Sequence, residues 1–102
     1  MQNVMEGQAP AVTAQLVSED GGSWVLQYFL QTYQSTDETP MFGVRVEKLT
    51  QEGKLLESNE TFAITASRDE ALDIADYLAK GTVPPCVLMD LVEEWFAVKE
   101  SN

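Results

Sequence analysis

Histidine is missing from this chain of 102 residues, and that absence removes the commonest general base and every histidine-ligated zinc site. Cysteine is almost missing too. Cys86 stands alone, so no intrachain disulfide forms, and a small domain without a disulfide framework suits a reducing cytoplasm. Basic residues are scarce: 6 Lys and Arg face 17 Asp and Glu, for a net charge of −11. A surface of that sign repels phosphate backbones and anionic lipid, which argues against direct nucleic-acid binding and against polybasic membrane attachment. Long apolar runs are lacking as well. The longest, Cys86 to Met89 and Trp95 to Val98, hold four residues each, whereas a membrane-spanning helix needs roughly 20. The opening MQNVMEGQAP has neither the basic start nor the apolar stretch of an export signal, so a cytoplasmic location is expected.

What is present suffices for one core. The hydrophobic share of 44% in 102 residues supports a single compact domain. Residues 1 to 10 are polar, carry no periodicity and end in Pro10, which reads as a flexible tail before a domain spanning 11 to 100. Val12, Ala14 and Leu16 alternate with polar residues, and Glu19-Asp20-Gly21-Gly22 supplies a turn into a second strand, Trp24 to Tyr33. After the polar stretch Gln34 to Pro40, Phe42, Val44 and Val46 mark a third strand. Gln51-Glu52-Gly53 then turns the chain into a fourth, reaching Thr65. In that fourth strand Leu56, Phe62 and Ile64 share a parity with Ser58 and Glu60, so a bulge is expected near Asn59.

The period changes at Ser67. Ser67-Arg68-Asp69-Glu70 is a capping box opening a helix that ends near Lys80, with Gly81 as its stop. Pro84 and Pro85 start a second helix, in which Leu88, Leu91, Val92, Trp95 and Phe96 recur at helical spacing. Four strands followed by two helices give an α+β fold, with a four-stranded antiparallel meander and both helices packed on one face. The expected core joins Leu88, Leu91, Val92 and Trp95 to Leu26, Tyr28, Leu30, Phe42, Val44 and Val46. Truncating Leu91 in such a core costs roughly 2–5 kcal/mol.

From Phe42 to Trp95 the chain resembles a family of short bacterial proteins, found mostly in Gram-positive anaerobes, that is known as a domain of unknown function. The resemblance lies in Phe42-Gly43-Val44-Arg45-Val46-Glu47-Lys48, in Ile64-Thr65-Ala66-Ser67-Arg68-Asp69, in Gly81-Thr82-Val83-Pro84-Pro85 and, most specifically, in Leu88-Met89-Asp90-Leu91-Val92-Glu93-Glu94-Trp95. Two positions depart from the pattern. Pro84 stands where the family usually has a hydroxyl residue, and Val87 where a polar residue, often histidine, is common. The resemblance implies the fold and lends no activity.

Few residues qualify for chemistry. Asp69, Asp73 and Asp76 share a helix face without the close spacing and turning glycine of a metal loop, so they read as a solvated surface. Asp90, Glu93 and Glu94 lie opposite the apolar stripe of the second helix. A convex face does not bring two carboxylates together across a cleft, so these three suit recognition of a basic partner better than acid–base catalysis. Cys86 is expected in the first turn of the second helix, where the macrodipole favours a thiolate, yet no histidine pairs with it and the surroundings are acidic. It is carried as the candidate reactive thiol. If Leu26, Tyr28 and Leu30 face the helices, then Val25, Phe29 and Tyr33 line the opposite sheet face as an aromatic stripe suited to a partner or a second copy. The sequence therefore reads as a small acidic interaction or regulatory module, without cofactor or metal, whose partner is a protein or another copy of itself. Two other readings stand behind it: an acidic mimic of nucleic acid that inhibits a nucleic-acid-binding protein, and, less favoured, an enzyme working through carboxylates.

Overall fold

The computed structural model describes residues 2–4, 10–34 and 39–100, with side chains described for 10–34 and 39–98. Among the described residues there are five strands: β1 (Gln2–Val4), β2 (Val12–Val17), β3 (Ser23–Gln34), β4 (Pro40–Leu49) and β5 (Leu55–Glu60). Helices α1 (Arg68–Lys80) and α2 (Leu88–Glu100) follow, joined through a 3-10 turn at Pro85–Val87. Strands β2 to β5 form the expected antiparallel meander, and both helices contact that sheet. One correction concerns the start of the chain. Gln2–Val4, expected in a flexible tail, pair antiparallel with Thr32 to Gln34, so β1 and β2 share one edge of β3. Met1 and residues 5–9 of that expected tail lie outside the described residues.

The β2–β3 and β4–β5 hairpins close alike. Ser18 N–H donates to Gly22 C=O at 2.8 Å and Thr50 N–H to Lys54 C=O at 2.9 Å. Each turn places a glycine at positive φ, Gly21 at 92° and Gly53 at 94°, a conformation that costs a side-chain-bearing residue steric strain.

The irregularity of β5 has a different form from the expected bulge near Asn59. Lys48 pairs with Glu57 and Leu49 with Leu55, which leaves Leu56 as the extra residue. Beyond Glu60 the strand ends and the chain crosses its neighbour. Thr61 N–H donates to Val44 C=O at 2.9 Å, while Thr61 Oγ1 accepts from Val44 N–H at 2.9 Å and so takes the place of a backbone carbonyl. Phe62 then adopts φ 60°, and its carbonyl oxygen passes over Gly43 so closely that a Cβ there would lie 1.8 Å away. Pairing resumes between Phe42 and Thr65.

Thr65 also builds the start of α1. Ser67 N–H donates to Thr65 Oγ1 at 3.0 Å, and that hydroxyl donates to Glu70 Oε1 at 2.8 Å. Glu70 N–H in turn donates to Ser67 Oγ at 3.1 Å, as the capping box predicts. At the other end, Thr82 N–H donates to Ala79 C=O and Val83 N–H to Leu78 C=O, both at 3.0 Å, the paired bonds of a Schellman stop. The left-handed position of this motif falls on Thr82, φ 45°, and Gly81 remains at φ −89°.

Helix α1 lies across β2, β3 and β4. Ala71, Ala75 and Ala79 are buried one turn apart, and their small side chains let the helix approach while Ile74 and Leu78 fill the interface. The core joins these residues to Leu26, Tyr28, Val44 and Val46 from the sheet and to Leu88 and Val92 from α2. Leu91, Trp95 and Phe96 flank that cluster half-buried, so the truncation cost of a buried leucine belongs to Leu88 and not to Leu91.

Three local features shape this arrangement, and each generates an expected outcome. Gly43→Ala is expected to lose about 3 kcal/mol or more, because the new Cβ meets the Phe62 backbone and not a flexible side chain, so the crossing itself must shift. Thr82→Gly relieves a β-branched residue in the left-handed region and is expected to gain about 0.5–1 kcal/mol in chemical denaturation. An opposite sign for either would show the backbone course to be different. The Tyr28 hydroxyl, buried among the core residues, donates to Val83 C=O at 2.9 Å, and burial pushes its pKa from 10.0 to about 12. Tyr28→Phe leaves that carbonyl without its donor and is expected to cost about 1–3 kcal/mol at neutral pH. Because the folded state holds the proton more tightly, stability from Tyr28 is present below pH 10.0 and is lost as pH rises to about 12. Denaturation followed across that range should show a shallower alkaline loss in Tyr28→Phe than in the wild type.

Candidate functional site

The stripe Val25, Phe29 and Tyr33 does lie on the sheet face away from the helices, but it is not an exposed surface. Phe29 is 8% and Tyr33 4% exposed, and Val25 is half-buried. Part of this face is crossed by a segment distant in sequence. The β5 exit folds over this face at Gly43, which stands directly opposite Gln31 in the ladder. The Tyr33 hydroxyl lies 2.6 Å from Gln31 Oε1 and 2.9 Å from Glu60 Oε2. Burial first, and then the bond to Glu60 and its charge, raise the Tyr33 pKa. Arg45 stands opposite Phe29 on the same face, and its guanidinium pairs with Glu47 at 2.7 Å. An exposed aromatic partner surface is therefore replaced here by a closed polar cluster.

Cys86 is exposed, as a candidate thiol requires, but it sits in the 3-10 turn ahead of α2 and not in the helix itself. No side chain caps that turn at Pro84. Among the described residues, no group of three or more His, Cys, Asp and Glu is placed to hold a metal ion. Asp69, Asp73 and Asp76 are exposed on α1, and Asp76 pairs with Lys80 at 3.0 Å.

The remaining candidates come together on the outer side of the helical layer. Asp90, Glu93 and Glu94 are exposed on α2 and fall within about 100° of one another at 100° per residue. They form an acidic ridge along the side of α2 away from the sheet. Apolar surface flanks the ridge on both sides. Toward the β5 exit, a recess of about 460 Å³ is lined by Ile64, Met89, Val92, Glu93, Phe96 and Ala97.

Toward α1 the flank is a groove. Asp73 and Tyr77 of α1 and Glu94, Trp95 and Val98 of α2 line a cavity of about 480 Å³. A second cavity of similar size shares Tyr77 and continues past Leu91 to Val87 and Pro84. The Tyr77 and Trp95 rings stand 5.3 Å apart at 57°, a tilted arrangement favoured by their quadrupoles. The Tyr77 hydroxyl donates to Glu94 Oε1 at 3.3 Å, and desolvation followed by the Glu94 charge raises its pKa. Trp95 Nε1 is buried and, among the described residues, has no hydrogen-bond partner. An unpaired buried donor of this kind costs about 1–3 kcal/mol. Val98, at the groove's end, is 58% exposed.

Sequence reasoning reached the acids of α2 and missed the groove. Trp95 and Leu91 read as core because their spacing fits the buried stripe, and Tyr77 falls between Ile74 and Leu78 without breaking the pattern. The available signal was width: Leu91, Trp95 and Val98 extend the apolar arc beyond what Leu88 and Val92 need to meet the sheet.

No curated protein and no solved structure matches this chain. No helix among the described residues is long and apolar enough to cross a membrane. A family model, that of a family of unknown function (DUF6514), matches residues 8–98. With nearly its whole length matched, from before β2 to within α2, the chain belongs to DUF6514.

Proposed function

We propose that this protein is a non-catalytic interaction module that binds a basic protein partner through the outer side of its two helices. One observation carries the reading: α2 presents an acidic ridge, Asp90, Glu93 and Glu94, with apolar surface open on both flanks. A solvated helix needs acids there for solubility, but it has no use for two uncovered apolar strips beside them. A partner with apolar contacts and basic flanks satisfies both features, and a net charge of −11 steers such a partner toward the surface. The carboxylates of the ridge project from a convex surface and do not converge on a reacting atom, which favours binding over acid–base chemistry. We place the protein in a bacterial cytoplasm, a setting in which the exposed, unpaired Cys86 stays reduced.

The reading is tested by affinity capture of the tagged chain from its host lysate, with and without nuclease and at two salt concentrations. One stoichiometric basic protein is expected, retained after nuclease and weakened by salt. Capture that yields no stoichiometric partner, or that disappears on nuclease treatment, overturns it.

A further inference from the structure

Two apolar strips flank the acidic ridge, and only one has the shape of a groove. Tyr77 on α1 and Leu91, Trp95 and Val98 on α2 line its length. Asp73 meets the end that holds Val98, and Lys80 the end that holds Val87 and Leu91. The helices thus run antiparallel along it. From Val87 to Val98 the floor extends about 16 Å at 1.5 Å per residue, which matches three turns of a docked helix.

The charges around the groove are arranged on both walls. Asp73 stands on the α1 rim and Glu94 on the α2 rim, so a segment lying between them meets a carboxylate on either side. Among the described residues the one base at the groove, Lys80, is already paired with Asp76 at 3.0 Å. A second copy of this chain would bring acid against acid across these rims, which disfavours self-association through this face. The floor carries a Tyr–Trp pair, the residue types that most often anchor protein interfaces. Trp95 also keeps an indole N–H without an acceptor among the described residues, a departure from full polar satisfaction of the kind that functional positions show.

Resting on the interaction reading above, we infer that the α1–α2 groove is a docking site for a cationic amphipathic helix. The occupant's apolar face lies on Tyr77, Leu91, Trp95 and Val98, and its lysines or arginines flank that face opposite Asp73 and Glu94. This is the helix-in-groove mode of peptide recognition, with anchors at i, i+3, i+4 and i+7.

The test uses the full chain carrying Trp24→Phe, which leaves Trp95 as the single indole. The probe is a synthetic Leu/Lys peptide of about 14 residues with its leucines on one helical face. Two control peptides accompany it, one with the same residues scrambled around the helix and one with Glu in place of Lys. The amphipathic Leu/Lys peptide is expected to shift Trp95 emission and to bind at least about tenfold more tightly than the scrambled peptide, with no binding by the Leu/Glu form. Val98→Lys and Glu94→Lys, both at exposed positions, are expected to weaken binding by about tenfold or more. Met89→Lys makes the same charge change as Val98→Lys but on the other strip, and is expected to change binding by less than about threefold.

Equal binding of the amphipathic and scrambled peptides would reduce the effect to charge and overturn the inference. So would an unmoved Trp95 emission. A Met89→Lys effect as large as that of Val98→Lys would place the occupant on the other flank and overturn it as well. Partner capture that survives Val98→Lys and Glu94→Lys would refute the groove while leaving the interaction reading in place, whereas absence of any captured partner refutes that reading itself.

Discussion

Everything on the outer side of this molecule depends on how the short link between the helices is held. From Thr82 to Val87 the chain has no ladder to join, yet it must turn α2 back alongside α1. Two side chains from the sheet hold it. Tyr28 Oη donates to Val83 C=O at 2.9 Å from the buried centre of β3, and Asn59 Nδ2 donates to Pro85 C=O at 3.1 Å from β5. A carbonyl two residues from the other is thus taken by a different strand. With Leu88 buried just beyond the 3-10 turn, the clamp sets the direction in which α2 leaves and so the width of the groove against α1.

The sheet that supplies this clamp is crossed on its far side by the β5 exit. Gly43 admits the Phe62 backbone because it has no side chain in the way, and Thr61 lends its hydroxyl to the ladder where the strand breaks off. The crossing then lies beside Gln31 and Tyr33, and the Tyr33 hydroxyl meets both Gln31 and Glu60 within the fold. The consequence for function is a division of labour between the two sides. The far face spends its aromatic and polar groups internally, and the helical side leaves apolar surface and carboxylates facing outward.

The regular elements were legible because each obeys a local rule. Alternation marked β2 to β4, glycine turns marked the hairpins, and the Ser67 to Glu70 signature marked the start of α1, down to the bond from Glu70 N–H to Ser67 Oγ. What local rules miss is long-range. Nothing in Phe62 announces a left-handed φ of 60°, since that geometry follows from the crossing at Gly43, nineteen residues earlier in the chain. Gly81 looked like the left-handed stop of α1, but the helix runs one residue further in register and passes the position to Thr82. Phe29 and Tyr33 alternate as an outward stripe should, and alternation carries no sign that both are buried on that side of the sheet. The groove was hidden for a related reason. Leu91 and Trp95 satisfy the helical period whether they meet the sheet or stand beside it, and the difference is decided by the clamp on Val83 and Pro85.

The central claim is that side-chain bonds from the sheet, and not the packing of α2 alone, hold the helical layer in place. Native-state hydrogen exchange on Asn59→Ala tests it most directly, because Asn59 is exposed and outside the core cluster, its other side-chain bond being to the adjacent Glu60 N–H in β5. The account predicts that amide protection in α2 falls by about fivefold, the equivalent of one hydrogen bond, while the amides of β3 and β4 keep their wild-type protection. A loss shared equally by all elements, or no loss in α2, would contradict it.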